Sequence, residues 1–350
     1  MDEPADPGPA PQDPPQPVIN PAQDAHANYF VRHWRGALPL GTSYWLNLVL
    51  PLAPVQFFFR TLNPNDATSD PRPLLAALMV VLPLTTIVYV WGIVGTWRSA
   101  SNHIHTTGLR VWARTAQIVI GVGAPLNIIT FAGGTLFLVP LLPILLGTDR
   151  MDTATVTQGP AVGTLRVAGP IGFGTADRVI TDINRGDIQR IVVNSLGGRA
   201  AAGLRVGKAL ESHPDIEVIV DPVCASACVL LLAGATNRVL MEKAHVAFHR
   251  PALRYQPEKS LQHEIEVEKT FLRARGFTGA IVDKGYDTPN QELYVPKTSE
   301  LLDAGVITRV LVNGRELNAK EYAEACAAPG AAKGDAPTNL VGPILGPISR

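Results

Sequence analysis

The chain has 350 residues, a formal net charge of zero, 46% hydrophobic residues and only 17% charged ones, where an ordinary globular domain carries about a quarter. The balanced charge and the lack of a basic stripe argue against nucleic-acid binding. Three cysteines, Cys224, Cys228 and Cys326, with no histidine cluster beside them argue against a zinc site.

The apolar excess lies before residue 150, so composition predicts a membrane region followed by a globular one. Residues 1–28 are rich in Pro, Asp and Gln and bury too little to offset chain entropy, so they are expected to be disordered. They lack the basic start and apolar core of a signal peptide. Over 29–150 three apolar stretches follow. Tyr44–Phe59 is short and holds Pro51 and Pro54, Leu74–Trp97 runs without a charge, and Ala116–Gly147 exceeds one crossing, for which about 20 residues suffice. About three transmembrane helices are expected. Arg32 and Arg35 before the first stretch, and Arg98, Arg110 and Arg114 between the second and third, put those segments in the cytoplasm by the positive-inside rule. Three crossings then carry the rest of the chain to the extracytoplasmic (periplasmic) side, an inference sensitive to the parity of spans.

From 151 to 326 the pattern changes to short β-branched runs (TLRVAG, QRIVVNS, IEVIVD) alternating with amphipathic segments (AAGLRVGKALESH, LQHEIEVEKTFLRAR). That alternation predicts βαβ units and a mostly parallel sheet. Residues 327–350 return to Pro/Gly-rich composition and read as a flexible tail.

Three strings in this region could carry chemistry. Asn194-Ser195-Leu196-Gly197-Gly198 ends the strand IVV, and paired glycines there permit a tight turn with exposed N–H groups. In the stretch VCASACVLLLAG, Ser226 opens an apolar helix, where a serine ordinarily caps. A nucleophile at the same point would gain from the helix dipole and the N–H of Ala227. His249 ends the run AHVAFHRP, with His245 on the same strand face as a competitor. Cys224 and Cys228 are four apart. If they share a helix, a disulfide within one turn is awkward, so they read as small packing residues.

Taken together, SLGG, ASA and FHRP, with 28 residues from Gly198 to Ser226 and 23 from Ser226 to His249, resemble the proteolytic subunit of the Clp protease, within the ClpP/crotonase superfamily. The resemblance covers roughly residues 162 to 312. It implies an α/β fold of the ClpP/crotonase-like ββα-repeat (spiral) type, and the transmembrane helical region read from the apolar stretches precedes it, outside the resemblance. It implies a serine-type peptidase with Ser226 as nucleophile, His249 as base, and the Gly198 and Ala227 N–H groups as oxyanion hole. Aligning ELYVPKTSELLDAG with the family pattern brings Glu292 to the place of the acid, with Asp287 and Asp283 close enough to compete. Leu196 replaces the proline of the family's SPGG. A Ser/Lys dyad, as in signal peptide peptidase A, would call on Lys208 or Lys243, neither of which lies in a matching string. The expected partners are a peptide or protein substrate, membrane lipid and further copies of the chain, with no nucleic acid, cofactor or metal. The competing classes are a non-catalytic module of the same fold and a crotonase-type acyl-CoA enzyme, which needs the amides but not the serine–histidine pair.

Overall fold

The computed structural model describes residues 27–61, 70–107, 109–252 and 261–327. Most of the expected disordered start and of the expected tail lies outside them. The described residues divide into a helical unit, within Met1–Leu62 and Ala76–Val139, and an α/β unit, within Asn63–Leu75 and Pro140–Arg350.

In the helical unit, α1 (Tyr29–Trp34) opens at Asn28, whose side chain accepts from the Val31 N–H. A π-helical segment (Thr42–Val49) and α2 (Leu52–Thr61) follow. Pro51 and Pro54 accompany this break, since proline cannot donate to the helical ladder. Among the described residues, two helices are long and apolar enough to cross a membrane. They are α3 (Pro71–Thr107) and α4 (Val111–Leu138), which is extended by a 3-10 turn (Val139–Leu141) and α5 (Leu142–Leu145). Where three crossings were expected, the first apolar stretch thus forms two short pieces that are each under the length of a span. The two long helices run antiparallel. The Gln117 amide donates to Ser101 Oγ at 3.0 Å near one end, Tyr89 meets Phe131 edge-on, and Leu82 lies beside Gly134 near the other. Arg98 donates to the Trp34 carbonyl at 2.8 Å and sits over its ring, while Ser99 donates to the Leu38 carbonyl. Arg32, Arg35, Arg98, Arg110 and Arg114 therefore gather at one end of the hairpin.

The α/β unit is built on one sheet, in the order β1 (Thr155–Gln158), β2 (Thr164–Ala168), β3 (Arg190–Ser195), β4 (Glu217–Ala225), β5 (Asn237–Met241), β7 (Arg309–Val312), β8 (Arg315–Leu317). Neighbours from β2 to β7 are parallel, and β1 and β8 close the edges antiparallel. On the side away from β3, strand β4 serves two partners. Its first half, Glu217–Val220, pairs with β5, and its last three residues pair with β6 (His245–Ala247). Helices α6 (Phe173–Asn184), α7 (Ala200–Glu211), α8 (Ala227–Gly234), α9 (Gln262–Ala274), α10 (Gly279–Asp287), α11 (Thr298–Asp303) and α12 (Ala319–Ala327) complete it.

All eight residues of α8 are buried, which is why ACVLLLAG carries no polar face: a helix apolar all round belongs inside. Fully burying each of Leu230, Leu231 and Leu232 contributes roughly 1.5–3 kcal/mol. Helix α7 lies against α8 at backbone distance. A Cβ on Gly203 would stand 2.1 Å from the Ala227 carbonyl oxygen, and one on Gly207 2.4 Å from that of Leu230. Those two glycines, one helical turn apart, set how deeply α8 sits and so where its first residue lies.

Candidate active site

Strands β3 and β4 pair so that Ser195 lies opposite Cys224. The turn after β3 and the turn after β4 therefore emerge side by side. Ser195 Oγ accepts from the Gly197 N–H at 3.1 Å and closes a tight turn on itself. Gly197 and Gly198 then take φ of +117° and +144°, values a side chain disfavours. Contact forbids one as well. A Cβ on Gly197 would lie 2.7 Å from Ser226 Cβ, and one on Gly198 would strike the Ile171 backbone. The diglycine is thus there to let the loop touch the serine turn. Leu196, in the place of a proline, is 40% exposed and outside that contact.

Arg199 fixes the loop from its other side. Its guanidinium donates to Asp149 from Nε at 2.8 Å and from Nη2 at 3.1 Å, and its N–H bonds the Ile171 carbonyl at 2.9 Å. Burial works to raise the Asp149 carboxyl. The Arg199 guanidinium and the Met151 N–H outweigh that and hold it below the usual carboxylate range. Asp149 lies far outside the matched strings, and sequence reasoning missed it.

Ser226 connects β4 to α8 with φ 54° and ψ −122°. A residue with a Cβ held there costs of order 1–3 kcal/mol, and such strain collects at functional sites. Its ordinary structural use is absent: the side chain makes no capping hydrogen bond. The hydroxyl is thus neither a cap nor fully buried, which corrects the expectation of a serine that caps. Among the described residues, neither the Gly198 nor the Ala227 N–H donates to another backbone group outside regular helix and strand bonding.

The flanking cysteines also depart from expectation. Cys224 and Cys228 form a disulfide with Cα atoms 5.3 Å apart. The argument against it assumed one continuous helix. Cys224 instead ends β4, Cys228 lies in α8, and the turn at Ser226 folds one towards the other. Both are fully buried, whereas Cys326 is free and exposed.

His249 reaches the same place through β6. Ala225 pairs with Ala247, and the Ser226 N–H bonds the Ala247 carbonyl at 3.1 Å. Ser226 and His249 line one narrow cleft of about 20 Å³, together with Ala227, Phe248 and Pro251. Among the described residues the two side chains form no direct hydrogen bond, a looseness common in unliganded sites. His249 Nδ1 lies 2.8 Å from the Arg250 carbonyl oxygen. A carbonyl only accepts, so Nδ1 carries the proton and Nε2 keeps its lone pair.

The expected acid is not at His249. Glu292 is exposed and makes no hydrogen bond to the ring among the described residues; Asp287 is also exposed, and Asp283 pairs with Lys269 at 2.8 Å and Arg273 at 2.6 Å. The residue beside the imidazole is Asn290, whose side-chain amide lies 3.2 Å from Nδ1 and also reaches the Arg250 carbonyl at 3.4 Å. Two backbone ties bring it there. Phe248 and Tyr294 exchange both N–H···O bonds at 2.9 Å, and the Arg250 N–H bonds the Thr288 carbonyl. His245, Lys208 and Lys243 are not among the residues lining the cleft.

Residues 179–275 match the family model of the Clp protease, a span that contains SLGG, Ser226 and His249. No curated protein matches the chain. Among solved structures it is similar to ClpP1 from Listeria monocytogenes, at 19% identity, over 43% of this chain and 91% of that one, with a TM-score of 0.38. It is similar to the ClpP protease catalytic domain from Plasmodium falciparum at 20% identity, over 43% and 86%, with a TM-score of 0.36. A mutant of the 1510-N membrane-bound stomatin-specific protease matches at 20% identity, over 44% and 89%, with a TM-score of 0.34.

Proposed function

The α/β unit carries a Clp-protease-like domain, and from that premise we propose that the chain is a membrane-anchored serine peptidase in which Ser226 is the nucleophile, His249 the general base, and the Gly198 and Ala227 N–H groups the oxyanion hole. The observation that carries this reading is the strained Ser226, without a capping bond and beside the Gly198 and Ala227 N–H groups that make no backbone bond of their own among the described residues, in one cleft with a histidine whose Nδ1 proton is already committed.

The steps follow from those positions. Nε2 of His249 takes the Ser226 proton as Oγ attacks the substrate carbonyl, and the developing oxyanion accepts from the two amides. His249 then returns the proton to the leaving amine, and water repeats the sequence to release the acyl group. The Arg250 carbonyl holds the ring's tautomer, and Asn290 packs beside it. With no carboxylate at that point among the described residues, dipoles steady the imidazolium formed in transit.

The anchor is read from the long hairpin. Its outward side chains are apolar: Val80, Ile87, Val122 and Ile129 are each at least 66% exposed, which suits lipid and not water. The arginine-rich end takes the cytoplasm, and α4 then delivers the α/β unit to the opposite side. The Cys224–Cys228 disulfide supports that side, because disulfides persist in oxidising compartments. This orientation rests on the loop between α3 and α4, so it does not depend on whether the first apolar stretch crosses.

The test is hydrolysis of a mixed peptide library by the full chain in detergent, with cleavage products read by mass spectrometry. Wild type should cleave and Ser226→Ala should not. Products equal in both would end the peptidase reading in favour of a non-catalytic module of the same fold.

A further inference from the structure

The Cys224–Cys228 bond spans the bend that carries Ser226, which stands midway between its two ends. Those ends are held differently. Cys224 sits within the sheet, opposite Ser195 of β3 on one side and Val246 of β6 on the other. Cys228 lies beyond the bend, in the first turn of α8. Both are fully buried. The approach to the bend is irregular. Strand β4 follows β3 in register as far as Val220 and resumes at Cys224, with Pro222, which has no N–H to give, in the gap. Ser226 itself holds φ 54°, and its side chain makes no capping bond.

A residue with a side chain keeps such a backbone only where its surroundings over-determine it. The bond to the Ala247 carbonyl and the approach of Gly197 act on Ser226 directly. The covalent tie adds a fixed separation of 5.3 Å between the Cα atoms on either side of it. Against global unfolding the tie adds less, because what a disulfide takes from the unfolded chain shrinks with the loop it closes, and this one joins residues four apart. Two cysteines could also fill this space as small apolar residues without a bond. What the bond itself contributes is therefore local to the bend, where Ser226 Oγ and the Ala227 N–H are set.

We propose that the Cys224–Cys228 disulfide is the positioning element of the nucleophile, so that Ser226 reaches its working rate only once the bond has formed. The inference rests on Ser226 being the nucleophile. As two thiols, Cys224 and Cys228 leave the bend free to relax towards an ordinary φ, which shifts Oγ and the Ala227 N–H together, since both belong to the bend. Bond formation passes two protons and two electrons from the thiols, by thiol–disulfide exchange, to the disulfide of an oxidoreductase, which becomes a dithiol. A chain newly made among reducing thiols keeps its own dithiol there. The peptidase is thus held slow until its α/β unit reaches an oxidising compartment.

The experiment compares the full chain in detergent in two redox states, each confirmed by alkylating an unfolded sample: one labelled cysteine when oxidised, three when reduced. The probe is an alkyl fluorophosphonate, its adduct is mapped by mass spectrometry, and rates are taken at saturating probe, below the melting temperature of each sample. The expected result is an adduct on Ser226 that forms at least tenfold slower in the reduced protein and regains its rate when oxidised glutathione restores the bond. Cys224→Ala/Cys228→Ala should stay at the slow rate with or without reductant, and Cys326→Ala should respond as wild type does. A brace for the fold alone would lower the melting temperature and leave the rate of the folded protein unchanged. If reduced protein keeps the oxidised rate, or the double variant labels at the rate of oxidised wild type, the positioning assignment is wrong and the nucleophile assignment stands. If oxidised wild type forms no adduct on Ser226, both fall together.

Discussion

The Asn290 side-chain amide lies 3.2 Å from Nδ1 of His249, at the point where a carboxylate would hold an imidazolium. A neutral partner there keeps the ring oriented but adds no charge. Asn290→Asp should speed labelling of Ser226 by a fluorophosphonate roughly ten- to hundredfold, since an opposite charge at this range favours the protonated ring by about that factor. Asn290→Ala should slow it roughly tenfold. That is far less than the loss seen when an unaided histidine takes the wrong tautomer, because the Arg250 carbonyl still fixes the proton. Equal rates in all three proteins would remove Asn290 from the site.

The disulfide predicts a count. Full-length protein unfolded without reductant and alkylated should gain one label, on Cys326, and three after reduction. A reporter fused at the C-terminus should be active outside the cytoplasm and silent within it. Three labels without reductant would contradict the pairing, and a cytoplasmic signal would contradict the orientation.

Crossing of α7 over α8 depends on glycine. Gly203→Ala puts a methyl 2.1 Å from the Ala227 carbonyl oxygen, and overpacking of this kind costs about 1–3 kcal/mol. Thermal unfolding of the α/β unit should shift down by several degrees. Labelling of Ser226 should slow even where the protein remains folded, because Ala227 carries one of the two amides. An unchanged melting curve would show that the helices separate freely.

Glu268, buried on α9 and accepting from the Tyr286 hydroxyl at 2.6 Å, gives the fold a pH signature. Burial raises its folded-state pKa from the ordinary 4.5 to about 7, so between those values the folded chain holds a proton that the unfolded chain has lost. Stability attributable to this group is fully present below about 4.5, falls as pH rises towards 7, and is level above that. Glu268→Gln does not titrate and should lose that slope. The difference in melting temperature between wild type and variant, followed from pH 4 to 8, should change over this interval; a constant difference would show that Glu268 is solvated.

Much of the site was legible because its parts lie at strand ends, where local chemistry governs. SLGG, Ser226 and FHRP each close a parallel strand, and their separations reflect α7 and β4 in the first interval and α8, β5 and β6 in the second. Asn290 was not legible. It is set opposite His249 by the Phe248–Tyr294 and Arg250–Thr288 backbone bonds, pairings across about 40 residues that leave no local mark, while the family pattern drew attention to the exposed Glu292. The disulfide was hidden for a related reason, since only the unusual φ of Ser226 turns a four-residue spacing from one helical turn into a strand meeting a helix. The first apolar stretch, read as one crossing, forms a π-helical segment and a short helix parted at Pro51.

The most direct test of the central claim is fluorophosphonate labelling of the full chain, with the modified residue mapped by peptide mass spectrometry. The account predicts a single adduct on Ser226, absent in Ser226→Ala and slowed about 10²-fold or more in His249→Ala. An adduct elsewhere, or one that persists in Ser226→Ala, would contradict it.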